Sequence, residues 1–306
     1  MRNSGNRNDM ALARFSALGI LSLGAVLLRG LNYPQVFVGD GVRFIAADAV
    51  YHMKRIYTAI ANGMRIPEYD PLMNFPSGLH CNWPPLFDQF IALTAYIAGA
   101  GAPSQQLVNT IGACVPPLTA GLAVIAVFFA ARRYMTDNCA LISAGTVAVL
   151  PYFVQISVLG RPDHHIAAAF LYCTMFPAVL NTTGNRGLAG ACARSALPGL
   201  ILAVSLAVWV GSLIFAGMIF MYFLLLFFLR IRNAEQREAS AFSAATLFLS
   251  SAVMLWPWAS RTYWAQTGRI RWDALSYFHI YLLIGCCVFF YTTYLISRWT
   301  RIPRQT

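Results

Sequence analysis

Asp163, His164 and His165 stand between two long apolar runs, about 139–157 and 165–181, each of which reads as a membrane span. An Asp at mid-membrane costs about 2.5–3.5 kcal/mol on the insertion scale, so an ionisable cluster in such a place is by default a functional site. The residue types name the chemistry. Carboxylate and neutral imidazole are ligands that suit Mg, Mn, Fe or Zn. The cluster therefore points to metal-ion chemistry at a membrane face.

The elements that must position it are apolar helices. A span needs about 17–25 mostly apolar residues. About eight segments qualify: 11–29, 107–131, 139–157, 165–181, 196–213, 214–230, 241–258 and 277–297. A shorter stretch from Pro84 to Gly101 begins Pro84-Pro85 and contains Asp88 and Gln89. It reads as a helix lying on the membrane surface or within the first external loop. The expected fold is an all-α integral membrane protein with about eight transmembrane helices. A long first external loop, about 30–106, contains helices of its own, and a second external loop covers about 158–165.

Composition agrees. Of 306 residues, 58% are hydrophobic and 11% charged, against about 25% charged in a soluble domain. The net charge of +11 comes from 22 Lys and Arg against 11 Asp and Glu. With a cytoplasmic amino terminus, Arg132-Arg133, Arg186/Arg194, Arg230/Arg232/Arg237 and Arg298/Arg301/Arg304 all fall on the cytoplasmic side. The same threading puts both polar loops on the external face, together with Lys54, Arg55, Arg65, Arg261, Arg269 and Arg271. Surplus positive charge near a bilayer favours anionic headgroups and phosphorylated lipids, and no soluble basic domain exists to hold nucleic acid. The seven cysteines show no CxxC spacing and read as free thiols. The basic start MRNSGNRNDMALAR reads as the lead into an uncleaved first helix.

Two segments carry a family resemblance. The stretch DAVYHMKRIYTAIANGMRIPEYDPLMNFPSGLHCNWPPLFD resembles the first external loop of the STT3-type oligosaccharyltransferase catalytic subunit, the family of eukaryotic STT3, archaeal AglB and bacterial PglB proteins. SVLGRPDHHIAAAF is similar to that family's second motif, Asp-x-Glu or Asp-x-His, at the external end of a span. The resemblance implies a GT-C type glycosyltransferase that moves a glycan from a polyprenyl-diphosphate donor to Asn in an Asn-x-Ser/Thr acceptor, using Mn2+ or Mg2+. It implies Asp48, Asp163 and His165 as metal ligands and catalytic residues, with Asp48 also near the acceptor amide. It makes this a multi-pass protein of the plasma (inner) membrane with its site on the external, periplasmic face.

Departures from the family pattern are definite. The family continues to about thirteen spans and a soluble sequon-binding domain with a WWDYG-type motif. The 306 residues contain no WWDYG, which leads to the expectation that this domain is absent and that a second chain supplies the missing half. Where some members have a His directly before the loop Trp, this chain has Asn82, with His80 two residues earlier. Two other functions stay open at this stage. One is a glycosyltransferase using a polyprenyl-phosphate sugar and a non-protein acceptor; the other is a non-catalytic fragment.

Each site residue has an ordinary alternative. Asp48 and Asp163 can cap helices. Arg161, Arg261 and Arg271 can clamp diphosphate oxygens bidentately or snorkel to headgroups. His164, His80, Trp83 and Arg161 are the candidates for substrate contact, and His164 also for a lipid or hydrogen-bonding role. His52 reads as an interfacial polar group. Asp70 and Asp88 read as structural, Asp70 in a YDP turn. Trp83, Trp209, Trp256, Trp258, Trp264 and Trp272 fit an interfacial aromatic belt. Asn181-Thr182-Thr183 is formally a sequon, on the cytoplasmic side of this threading.

Overall fold

The computed structural model describes residues 3–182, 188–230 and 233–300. Thr183 of the formal sequon, and Arg186, Arg232, Arg301 and Arg304 of the basic clusters, lie outside the described residues. The helices are α1 (Asn3–Arg29), α2 (Tyr33–Val36), α3 (Ala47–Ala61), α4 (Leu86–Ala98), α5 (Gln105–Ala131), α6 (Asp137–Val149), α7 (Pro151–Gln155), α8 (His164–Leu180), α9 (Leu188–Val208), α10 (Leu213–Leu229), α11 (Ala234–Ala259), α12 (Tyr263–Gln266) and α13 (Tyr277–Trp299). Two antiparallel hairpins punctuate the loops: β1 (Phe37–Val38) with β2 (Gly41–Val42), and β3 (Tyr69–Asp70) with β4 (Leu79–His80).

Every one of the eight apolar segments is helical, and six helices among the described residues are long and apolar enough to cross a membrane. The exceptions are α6 and α8, at 13 and 17 residues. The expected span 139–157 is broken at Leu150-Pro151, where Leu150 adopts ψ 121. Pro151 has no N–H to continue the ladder and disfavours helical backbone in the residue before it. The chain restarts as α7, with Pro151 at its first position.

The chain forms two compact units. The first, residues 1–67 and 85–174, packs α5 against α1, α6 and α4, with α3 lying on α4. Leu18 and Ala25 of α1 meet Val124 and Phe128 of α5 and Ala140, Ala144 and Ala148 of α6. α4 buries one face, Phe87, Asp88, Ile91, Ala92 and Ala95, and leaves Phe90, Leu93 and Ile97 exposed on the other.

The break after α6 leaves helix-end carbonyls in an apolar place, and Arg29 meets them. Only 1% exposed, it donates from Nη1 to Ala25 O and Ala148 O, both at 2.9 Å, and from Nε to Ser157 Oγ at 2.6 Å. Its guanidinium also lies over the Phe153 ring, 5.4 Å from the centroid. One cation thus ties the end of α1 to both sides of the α6–α7 break. It sits at the negative end of the α6 dipole.

In the second unit, residues 68–84 and 175–306, α11 packs against α9 and α13. α9 offers a small residue every fourth position: Ala191, Ser195, Gly199, Ala203 and Ala207, all buried. Small side chains let helix backbones approach closely where lipid gives no hydrophobic drive. A Cβ on Gly199 would fall 2.0 Å from Ser250 Oγ and 2.7 Å from Leu247 O. On the other side of α11, Phe248 stacks on Phe290 with rings 5° from parallel.

Two stability outcomes are expected, read as melting temperature in detergent. Arg29→Met strands buried acceptors and costs about 2–4 kcal/mol, a fall of about 5 °C or more, with Arg29→Lys intermediate because one ammonium cannot fill the Nε and Nη1 positions together. Gly199→Leu lowers the melting temperature strongly. Gly217→Leu, where a Cβ meets nothing within 4 Å, leaves it nearly unchanged.

Candidate functional site

The two loops that carry the acidic motifs are joined backbone to backbone inside the first unit. The Ile45 N–H donates to Gly160 O at 2.8 Å. The Gly160 N–H donates to Ala113 O at 3.1 Å, and the Leu159 N–H to Arg29 O at 3.0 Å. Gly160 has φ +80, and a Cβ there would lie 2.9 Å from Val36 Cγ2, so both the dihedral and the space require glycine. Asp48 and Asp163 each follow three residues beyond this junction.

Asp48 does not cap its helix. The N-cap of α3 is Ala46, at φ 78 and ψ 150, with no side-chain cap, and Asp48 lies in the first turn with its side chain exposed. Ala46 holds a sparsely populated conformation that costs on the order of 1–3 kcal/mol. Asp163 does cap: its Oδ1 accepts the His165 N–H at 3.3 Å, directly before α8. Capping occupies one oxygen only. Asp163 Oδ2 is buried and accepts no hydrogen bond, with Arg161 Nη2 3.6 Å away. His165 Nε2 stands 4.0 Å from Asp163 Oδ1, and its side chain is 37% exposed.

His164 turns inward, and the inner side holds what the sequence reading missed. His52, read as interfacial, is 1% exposed. Its Nδ1 lies 2.5 Å from Asp88 Oδ1 and its Nε2 3.0 Å from His164 Nδ1. His164 Nδ1 is in turn 3.5 Å from Asp163 Oδ1. Arg55 Nε pairs with Asp88 Oδ2 at 2.9 Å. A chain of polar contacts thus runs from α4 through α3 to the cap of α8. Asp88 is fully buried, and its partners are His52 and Arg55 in this network. Burial pushes the His164 pKa down to about 2, with His52, His165 and Arg55 adding repulsion, so the ring is neutral. The signal for the network was an acid inside an apolar stretch, which needs a partner, and His52 and Arg55 at i and i+3 on α3.

The donor set fits a divalent cation. A buried carboxylate oxygen without a hydrogen bond, a half-exposed imidazole at i+2 and an exposed carboxylate across the junction are the ligand types that Mg, Mn or Zn takes. Among the described residues, ligand atoms of His52, Asp163 and His164 also lie within 4.8 Å of one another. Asp48 is outside that grouping.

The remaining predicted residues belong to the second unit, except Arg161, which donates from Nη1 to Gln155 O at 3.1 Å. His80 stacks on Tyr263 at 3.6 Å, with Tyr69 and Trp264 beside it, and its Nδ1 is buried without a hydrogen bond. Glu68 accepts the Tyr263 N–H at 2.6 Å and Asn82 reaches Asp273 at 3.4 Å, so segments 68–84 and 260–276 are one polar layer. Trp83 is half-buried beside Cys81. Trp264 is buried under Arg271 and is no belt residue. The Arg271 fork is already taken by Asp273, whose carboxyl it holds below the usual range. Asp70 makes its expected turn, accepting the Leu72 N–H at 2.9 Å.

The family model for oligosaccharyl transferase STT3, N-terminal, matches residues 36–301. Dolichyl-phosphooligosaccharide-protein glycotransferase 1 of Archaeoglobus fulgidus is 29% identical over 237 residues, which are 77% of this chain and 36% of that protein. The crystal structure of an A. fulgidus oligosaccharyltransferase with Zn and sulfate superposes with TM-score 0.80 at 24% identity, over 92% of this chain and 35% of that one. The same enzyme tethered to an acceptor peptide with an NVT sequon gives TM-score 0.82 at 25% identity, over 94% and 34%. The chain spans about a third of the length of the curated relatives it matches. With both acidic motifs in place on the matched fold, this membrane protein belongs to the STT3 oligosaccharyl transferase family.

Proposed function

We propose that this chain carries the metal-binding half of an oligosaccharyltransferase, which moves a glycan from a polyprenyl-diphosphate carrier to the Asn of an Asn-x-Ser/Thr sequence. The observation that carries the reading is Asp163: Oδ1 caps α8 with His165 Nε2 4.0 Å away, and Oδ2 is buried without a hydrogen bond, 3.6 Å from Arg161 Nη2. The activity is proposed for this segment together with the counterpart of its relatives' remaining length, in the same polypeptide or in a second chain.

In this reading Asp163, His165 and Asp48 hold Mn2+ or Mg2+. A bound divalent cation supplies Lewis-acid stabilisation to the departing diphosphate. Zinc in the A. fulgidus relative supports a metal here without choosing among these ions. Arg161, 20% exposed and near Asp163, donates to a diphosphate oxygen of the donor. Asp48, exposed in the first turn of α3, accepts a hydrogen bond from the acceptor amide. His80 with its aromatic neighbours and Trp83 are further contacts for substrate. The loops about 30–106 and 158–165 face the periplasmic side of the inner membrane, where lipid carrier and acceptor polypeptide meet.

Mn2+ titration of the detergent-solubilised protein, followed by electron paramagnetic resonance, tests the site. Saturable binding is expected in the wild type and a loss of about tenfold or more in Asp163→Ala and His165→Ala. Binding that never saturates, or that both variants retain, overturns the reading.

A further inference from the structure

Resting on the reading that Asp163 binds a divalent cation, we propose that Asp88 is a positioning residue for that ligand, acting through His52 and His164. The contacts form a path: Asp88 Oδ1 to His52 Nδ1 at 2.5 Å and His52 Nε2 to His164 Nδ1 at 3.0 Å are hydrogen bonds, and the same His164 Nδ1 then lies 3.5 Å from Asp163 Oδ1 as a packing contact. The four side chains are between 0% and 6% exposed. They come from three elements, α4, α3 and the lead into α8, so the path fixes Asp163 against the body of the first unit.

Asp163 needs such support. Its cap bond from the His165 N–H is long, at 3.3 Å, and by itself leaves the carboxylate free to rotate about its side-chain torsions. The His164 ring, packed edge-on against His52 with centroids 5.2 Å apart, blocks that rotation on the inner side. His52 is fixed in turn by Phe87, edge-on at 5.1 Å, and by Asp88. Asp88 is itself held by Arg55 at 2.9 Å. A ligand carboxylate whose rotamer is set before the ion arrives loses less freedom on binding. Partners behind metal ligands are worth about 10–100-fold in metal affinity.

A network that served folding alone would show a different pattern, and two variants separate the cases. Asp88→Asn keeps the shape and removes the charge. His52→Asn keeps an amide N–H where Nδ1 stood, still able to donate to Asp88, and has nothing at the Nε2 position. Mn2+ affinity is read by electron paramagnetic resonance on the full chain in detergent, with cation-free melting temperature measured alongside. Both variants are expected to bind one equivalent about 10–100-fold more weakly than wild type, while His52→Asn, which leaves the buried His164 Nδ1 without its partner, melts below wild type yet stays folded at the titration temperature. Unchanged affinity in His52→Asn, or a fall in melting temperature with no change in affinity, overturns the inference and leaves the metal reading standing. A wild type that binds no Mn2+ overturns both. A second equivalent lost in His52→Asn overturns the positioning role, because His52 would then be a ligand.

Discussion

The first unit turns on one glycine. At Gly160 the chain passes so close to Val36 and the Arg43 carbonyl that no side chain fits, and hydrogen bonds at this residue and its neighbour reach three separate places: the end of α1, the middle of α5 and the lead into α3. Each of these bonds satisfies a backbone group that has no helix to satisfy it. In an apolar setting an unpaired group of that kind is costly. The crossing is therefore both a solution to a local hydrogen-bonding problem and the reason two loops more than a hundred residues apart are joined backbone to backbone.

The same demand explains the polar groups buried around it. Arg29 closes the carbonyls exposed where Pro151 interrupts the helix. Asp88, His52 and Arg55 answer one another between α4 and α3. None of these groups is tolerable alone, since an isolated buried charge costs far more than its partners return. Together they link α4 to α3 and α3 to the start of α8.

Hydropathy made the helices legible, because a bilayer imposes length and composition at once. It did not reveal the stop at Pro151, where one residue overrides an otherwise continuous apolar run. Asp163 and His165 were legible as a short motif on one element. His52 and Asp88 were not, because they lie 36 residues apart and His52 meets His164 across 112, separations that periodicity does not span. Trp264 misled for a related reason: an aromatic near a span end reads as a belt residue, yet this one is covered by Arg271 from its own loop. The Arg271 fork likewise could not be known to be filled until Asp273 was seen beside it.

Asp163 joins the two halves of the argument. A cap requires one carboxylate oxygen and a position before a helix; a metal ligand requires an oxygen with nothing else to bind. An Asp can meet both conditions only if its rotamer is fixed, since free rotation would exchange the two oxygens and let the capping bond compete with the ion. In this protein the inward-facing His164 and the half-exposed His165 lie on opposite sides of that carboxylate in burial, one packed against the unit and one open. The two adjacent histidines are thus not redundant copies of one ligand. In the proposed reading one side of the motif belongs to the fold and the other to the chemistry, and the carboxylate between them is where the packing of the unit would define a place for a cation.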